Sequence, residues 1–229
     1  DFVKNITPGN IEDDMKAIAE CDWIIEAVVE NLDIKQKIYA NIEKHKKDGA
    51  IVSSNTSTIP IKNLIEGRSK EFQSHFVITH FFNPPRYMRL LELVTSDETE
   101  ESVEREITGF CDKELGKGVV KCHDRPAFIA NRLLVFFLTA AINEKFEHDI
   151  PIEVADAVLS KPVGIPKTGV FGLIDLVGID LMPDLTGSLT SRLPENDRYQ
   201  KIHKDYPFNT QMIESGYTRR KGKGGVYRL

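Results

Sequence analysis

The chain has 229 residues, a formal net charge of −5 and no basic stripe, which disfavours a nucleic-acid partner. With 41% hydrophobic and 28% charged residues, the composition is typical of a globular protein with one large or two small domains. The longest uncharged stretch, residues 133–143, is far shorter than the roughly 20 residues needed to cross a bilayer. Three cysteines without metal-ligand spacing predict reduced thiols in a cytoplasmic protein.

The first half of the chain alternates between helical and extended patterns. Predicted helices cover residues 11–21, 33–47 and 98–115, and predicted strands cover residues 23–29, 50–53 and 118–122. Two further short strands, at residues 76–80 and 90–94, are separated by a turn that Pro84-Pro85 forces. Strands that alternate with helices predict an α/β fold in which helices cover both faces of a parallel sheet.

After Asp124 the strand pattern gives way to helices. A long helix is predicted over residues 127–147, apolar nearly all round and therefore buried on several sides. Two more helices are predicted over residues 151–159 and 171–186, and the only candidate strand covers residues 226–228. The sequence therefore predicts two domains, an α/β domain over residues 1–124 and an all-helical domain over residues 125–229.

Two polar residues lie within the apolar strands on either side of the double proline. His80 closes the run Phe76-Val77-Ile78-Thr79, and Glu92 is surrounded by leucines and Val94. A buried carboxylate is costly without a partner, and a histidine held by a carboxylate has a fixed tautomer and ring orientation. These properties suit a general base, although the same pair could simply be satisfied core residues.

A hydroxyl-rich and amide-rich segment follows the strand at residues 50–52. It reads Ser53-Ser54-Asn55-Thr56-Ser57-Thr58, and small polar side chains at the carboxyl end of a strand suit a ligand crevice. The same composition is also common in ordinary turns.

Together with His80-Phe81-Phe82-Asn83-Pro84, this segment resembles the 3-hydroxyacyl-CoA dehydrogenase family, and the resemblance extends from Ile11 to Tyr227 through residues 128–132 and 172–178. It implies a truncated Rossmann-like NAD-binding domain followed by an all-helical C-terminal domain. The implied reaction is NAD-dependent oxidation of (S)-3-hydroxyacyl-CoA to 3-oxoacyl-CoA in fatty-acid β-oxidation. The tail, residues 216–229, resembles long multifunctional bacterial members. The implied partners are an acyl-CoA substrate and a second copy of the chain or fused domains.

The resemblance also implies roles for ten residues. His80 matches the base, Glu92 the carboxylate that orients it, and Ser57 the hydroxyl that hydrogen-bonds the substrate oxygen. Asn131 matches an amide from the helical domain, and Asn83 an asparagine that orients the site. The positions that match the NAD site are Ala27, Glu30, Lys35, Asn55 and Lys221.

Without the resemblance, some of these residues have simpler interpretations. Glu30 and Lys35 could be an exposed acid and a solvated base, Lys221 could be plain surface charge, and Asn131 could be a residue of a helix start. Two other interpretations of the chain are a non-catalytic relative with the same fold and another hydroxyacid dehydrogenase with a helical second domain. The second typically uses a catalytic lysine, for which no equivalent motif is present.

One motif of dinucleotide-binding folds is not found in the sequence. There is no Gly-x-Gly-x-x-Gly turn between a strand and a helix, and Gly222-Lys223-Gly224-Gly225 has no strand before it. The chain also opens on Asp1 rather than methionine. These features predict a fragment of a longer protein, folded but with little NAD affinity and little activity alone. They also predict an exposed sheet edge that favours self-association.

Overall fold

The computed structural model describes residues 2–204, 206–218 and 222–227. The chain divides into two compact units, Asp1–Phe128 and Ile129–Leu229. The first unit is built on a sheet, and the described part of the second has helices as its regular elements.

The first unit contains a five-stranded mixed sheet. Its strands, in spatial order, are β1 (Trp23–Glu26), β2 (Ile51–Ser54), β3 (Phe76–Phe81), β4 (Leu90–Val94) and β5 (Gly118–Cys122). All neighbouring pairs are parallel except β3 and β4, which run antiparallel. The predicted parallel sheet is thus present in three of the four pairs, and the antiparallel pair is the one whose two strands the sequence predicts to be joined by a short turn. The eight residues between β3 and β4 suffice for a hairpin, whereas a parallel crossover needs a dozen or more.

Four described α-helices flank these strands; the first and last were predicted and have shifted ends, whereas the two short ones between them were not predicted. They are α1 (Leu32–His45), the short α2 (Ile61–Leu64) and α3 (Lys70–Ser74), and α4 (Glu101–Lys113). Asn31 caps α1 by accepting a hydrogen bond from the backbone N–H of Ile34, while Asp33 is an acid of the first turn. The helix predicted over residues 11–21 is only a 3₁₀ helix, Met15–Glu20, because Asn10 accepts the N–H groups of Glu12 and Asp13 and holds a turn there.

Alternating residues of the strands pack into two separate cores, one on each face of the sheet. On one face, Val52, Phe76, Ile78 and Val94 pack with residues of α1, α2 and α3, including Tyr39. The opposite face packs against α4 and contains Ile51, Val77, Leu91, Leu93, Val103, Ile107 and Cys111. The central strands are thus buried on both faces, which explains their nearly continuous hydrophobic sequence.

The described helices of the second unit surround one apolar cluster that includes Leu138, Phe171 and Ile174. The predicted helix over residues 171–186 is interrupted. Its first part ends at Val177, and Gly178 adopts a φ of 109°, which a residue with a side chain rarely adopts. The helices are α5 (Ala130–Glu147), α6 (Ile152–Val158), α7 (Phe171–Val177), α8 (Met182–Arg192), α9 (Arg198–Ile202) and α10 (Pro207–Glu214).

Two buried or half-buried aspartates hold the described end of the chain. Asp175 accepts the backbone N–H groups of Val226 and Tyr227, and Asp156 accepts the Tyr227 hydroxyl. A Cβ on Gly225 would lie 2.1 Å from Oδ1 of Asp175, so any other residue would displace the carboxylate that holds this segment. Residues 226–227 therefore bond to a side chain and form no strand; position 228 of the predicted strand lies outside the described residues. Among the helices described, none is long and apolar enough to span a membrane.

Candidate active site

Most of the residues predicted for the site lie around one edge of the sheet. β1, β2 and β3 are parallel, so their carboxyl ends meet at the same edge. Ala27 follows β1, Asn55 and Ser57 follow β2, and His80 is the penultimate residue of β3. Crevices outside the carboxyl ends of strands are the usual ligand sites of open α/β sheets.

His80 and Glu92 form the expected hydrogen bond. They are directly opposite each other in the antiparallel pair β3–β4, and Nδ1 of His80 lies 2.8 Å from Oε2 of Glu92. Glu92 is 1% exposed and His80 is 6% exposed, so water competes little for this bond. Because the carboxylate can only accept, Nδ1 carries a proton and Nε2 is left to accept another from a substrate.

Glu30 organises the loop that carries Ser57. Its Oε1 accepts hydrogen bonds from the hydroxyls of Thr56 and Thr58 and from the backbone N–H groups of Ser57 and Thr58. One carboxylate oxygen thus holds three consecutive residues after β2, and the loop is built around it. The exposed sequence position of Glu30 does not predict this role, because its partners lie 26 to 28 residues away.

Burial alone would raise the pKa of Glu30, but the hydroxyls of Thr56 and Thr58, the Lys35 charge and the Ser57 N–H outweigh it and lower the pKa below the usual 4.5. A lowered pKa in the folded state adds stability above pH 4.5, and this contribution disappears as the pH falls through the folded value. We therefore expect Glu30→Gln to be less stable than the parent at pH 7, and we expect this difference in stability to be smaller at about pH 3. Urea unfolding at both pH values measures the difference. An equal difference in the free energy of unfolding at both pH values would contradict the lowered pKa of Glu30.

A buried ionic cluster lies behind this loop. Glu26, the last residue of β1, accepts hydrogen bonds from Nζ of Lys35 at 2.8 Å, from the hydroxyl of Ser54 at 2.7 Å, and from the hydroxyl of Tyr39. Lys35 also lies 3.4 Å from Glu30, so the cluster connects α1 to the loop after β2. Burial and the neighbouring Glu26 carboxylate raise the pKa of Tyr39, which therefore stays protonated and donates.

The role of Glu26 was missed from the sequence, although a signal was present. Glu26 is a carboxylate between the apolar runs Trp23-Ile24-Ile25 and Ala27-Val28-Val29, the same pattern that singled out Glu92. It is 3% exposed, and Lys35 is 1% exposed. The interpretation of Lys35 as a solvated base is wrong for this reason.

Comparison with known proteins decides the family. The model of the 3-hydroxyacyl-CoA dehydrogenase NAD binding domain matches residues 1–125, and that of the C-terminal domain of the same family matches residues 128–229. The chain belongs to the 3-hydroxyacyl-CoA dehydrogenase family. Members of this family are NAD-dependent oxidoreductases, and the predicted fold class of an NAD-binding domain followed by a helical domain is confirmed.

Similar proteins include both long and short family members. A Rickettsia felis protein named as a fatty acid oxidation complex trifunctional enzyme is 45% identical over all of this chain, which covers 32% of that protein. A Deinococcus radiodurans protein named as a 3-hydroxyacyl-CoA dehydrogenase is 34% identical, with 100% of this chain and 65% of the relative covered. The crystal structure of (S)-3-hydroxybutyryl-CoA dehydrogenase from Ralstonia eutropha superposes with a TM-score of 0.81 at 29% identity, covering 93% of this chain and 72% of that one. The chain thus spans about a third of the first relative's length.

The other residues for which the family resemblance implies a role lie in different surroundings. Asn55 accepts the backbone N–H of Phe81 at 2.9 Å, which joins the loop after β2 to the end of β3, and Asn83 is exposed just beyond that end. Asn131 is the second residue of α5 in the other unit, so its approach to the base stays a prediction. Lys221 lies outside the described residues.

The edge of the sheet presents groups that suit a polar ligand such as the NAD cofactor of this family. Ala27 and Glu30 are exposed beside the loop that Asn55 begins, which offers a small side chain, a carboxylate and an amide to a polar ligand. The glycine turn that would hold a pyrophosphate is not found in the sequence.

Proposed function

We propose that the chain forms the catalytic part of an NAD-dependent dehydrogenase that oxidises (S)-3-hydroxyacyl-CoA to 3-oxoacyl-CoA. The observation that carries this proposal is the buried hydrogen bond between His80 and Glu92 at the ligand edge of the sheet. A neutral histidine with one nitrogen anchored and the other available is suited to accept the proton of a hydroxyl group.

In the proposed reaction, the 3-hydroxyl gives its proton to Nε2 of His80 while the bond from carbon 3 to its hydrogen breaks. NAD, when bound, supplies the acceptor for the hydride that leaves carbon 3. Glu92 keeps the ring in place and stabilises the imidazolium that forms, because its charge is 2.8 Å away. Ser57 and Asn131 would donate hydrogen bonds to the substrate oxygen, and Asn83 would orient the site.

The cofactor would be held by Ala27, Glu30 and Asn55 on the loops after β1 and β2, with Lys221 reaching it from the tail. Lys35 is also proposed as a residue of the cofactor site. Because its ammonium group already pairs with Glu26 and Glu30, we propose that it contributes to cofactor binding mainly by holding these two carboxylates in place. Its position supports Glu30, and Glu30 supports the loop of Ser57.

We further propose that the protein acts in cytoplasmic fatty-acid β-oxidation, in agreement with the trifunctional relative. The boundary between its domains is proposed near Asp124. β1 is the edge strand of the described sheet, and its Ile25 is 46% exposed. This supports packing against a second copy or against further parts of a longer chain.

Where the gene encodes more than residues 1–229, the test compares the full-length protein with residues 1–229 alone. The full-length protein should form NADH when (S)-3-hydroxybutyryl-CoA and NAD are added. In calorimetric titration, residues 1–229 should bind NADH much more weakly, because backbone N–H groups of a glycine turn provide much of the affinity for a pyrophosphate. Absence of NADH formation by the full-length protein would refute the function. Equal micromolar affinity in the two proteins would refute the proposed location of the cofactor.

A further inference from the structure

Two phenylalanines enclose the imidazole of His80. The ring centroid of Phe82 lies 4.6 Å from that of His80 with an interplanar angle of 61°, and the Phe128 centroid lies 5.7 Å away at 58°. Phe128 is 4% exposed, whereas Phe82 is only half-buried. With Nδ1 bonded to Glu92, the histidine is held by one polar contact and by these two aromatic rings.

The backbone at Phe128 is unusual. Ala127 and Phe128 have φ values of 61° and 50°, a left-handed conformation that residues with side chains rarely adopt. The N–H of Phe128 donates to the carbonyl of Arg125 at 2.9 Å, closing a tight turn. The helix predicted from residue 127 starts instead at Ala130 because these two residues leave the helical conformation.

Such strain persists only where the surroundings stabilise it, and it is concentrated at functional sites. Here the surroundings are the core cluster of the first unit, in which Phe128 is buried with Val94 and Cys122. A helix beginning at residue 127 would avoid the left-handed turn. The turn that is present instead places the Phe128 ring beside the ring of the proposed base.

Resting on the proposed function, we propose that Phe128 is a positioning residue for catalysis. Its ring blocks rotation of the His80 imidazole on one side, Phe82 restricts it on another, and Glu92 anchors Nδ1. Nε2 therefore stays directed at one point, where the substrate hydroxyl must lie for proton transfer. The role concerns the orientation of the base, because Phe128 offers no polar atom to a substrate.

The test uses the full-length protein with Phe128→Leu, which keeps a buried apolar side chain but removes the flat ring. Phe72→Leu is the matched control, since Phe72 is a fully buried phenylalanine of the same core that packs on Tyr39 and Phe76 rather than on His80. Phe128→Leu should lower kcat roughly tenfold with KM for both substrates within about twofold, because misorientation of a reacting group affects chemistry more than binding. Phe72→Leu should leave kcat unchanged.

A second readout separates orientation from stability. With substrate deuterated at carbon 3, the isotope effect on kcat should increase in Phe128→Leu, because a slower chemical step limits turnover more fully. If Phe128→Leu does not fold, Phe128→Met, which better preserves the buried volume, is measured instead. Equal kcat and isotope effects in the Phe128 and Phe72 variants would overturn the inference. Full activity of His80→Gln would instead refute the proposed function itself.

Discussion

Replacing His80 by glutamine in the full-length protein is expected to lower kcat by roughly 10²- to 10⁴-fold, the usual loss when a general base is removed. Glutamine can still hydrogen-bond Glu92, so the strand pair should remain folded, but it cannot accept the substrate proton. Binding of NADH should change little, because the proposed cofactor contacts lie on the loops after β1 and β2. Steady-state kinetics and an NADH titration on the same preparation measure both quantities.

Two variants sharpen this expectation. Glu92→Gln should reproduce much of the kcat loss, because the imidazolium formed during the reaction loses the charge 2.8 Å away. His75→Gln is the control, since His75 lies just before the same strand and its Nδ1 bonds locally to Ser74 and the Glu71 carbonyl. A kcat for His80→Gln within a factor of two of the parent would show that another group is the base.

Lys35→Met is expected to destabilise the protein by about 3–5 kcal/mol, as for other buried ion pairs that lose one partner. The remaining Glu26 is 3% exposed, and the donors that the described residues would still offer it are neutral: the hydroxyls of Tyr39 and Ser54 and the N–H of Val28. Urea unfolding of the parent and variant measures the loss. Because Lys35 also neighbours Glu30, the loop that carries Ser57 should become more susceptible to proteolysis as well.

The matched control is Lys47→Met, which removes a solvent-exposed pair with Asp22 and should cost little. In a double variant, Glu26→Gln with Lys35→Met, no charge is left buried without a partner, and part of the lost stability should return. A loss in Lys35→Met no larger than in Lys47→Met would contradict the importance of the buried cluster. If the loss of stability in the double variant equals the sum of the losses in the two single variants, Glu26 and Lys35 are not coupled.

Some features of this protein follow from the order of its amino acids. Alternating helical and extended patterns specify the α/β character of the first half, since a sheet buried on both faces requires continuous apolar strands. The pairing of His80 with Glu92 also follows, because two apolar strands joined by a short turn must run antiparallel, and a buried carboxylate needs a partner on the neighbouring strand. The helical character of the second half follows from its apolar periodicity.

Other features depend on packing between segments that are distant in the sequence. Glu30 and Lys35 look like surface charges locally, and only the closure of α1 and the loop after β2 around Glu26 buries the lysine and occupies both carboxylates. The interruption at Gly178 of the helix predicted over residues 171–186 and the late start of α5 are similar cases, because an apolar pattern does not reveal a residue with a positive φ. Side-chain periodicity reports which face a residue takes within its own element. It does not show which charged or aromatic side chain of another element will contact that face. The ionic cluster around Glu26 and the packing of Phe82 and Phe128 on His80 are both contacts between different elements, so only the tertiary structure reveals them.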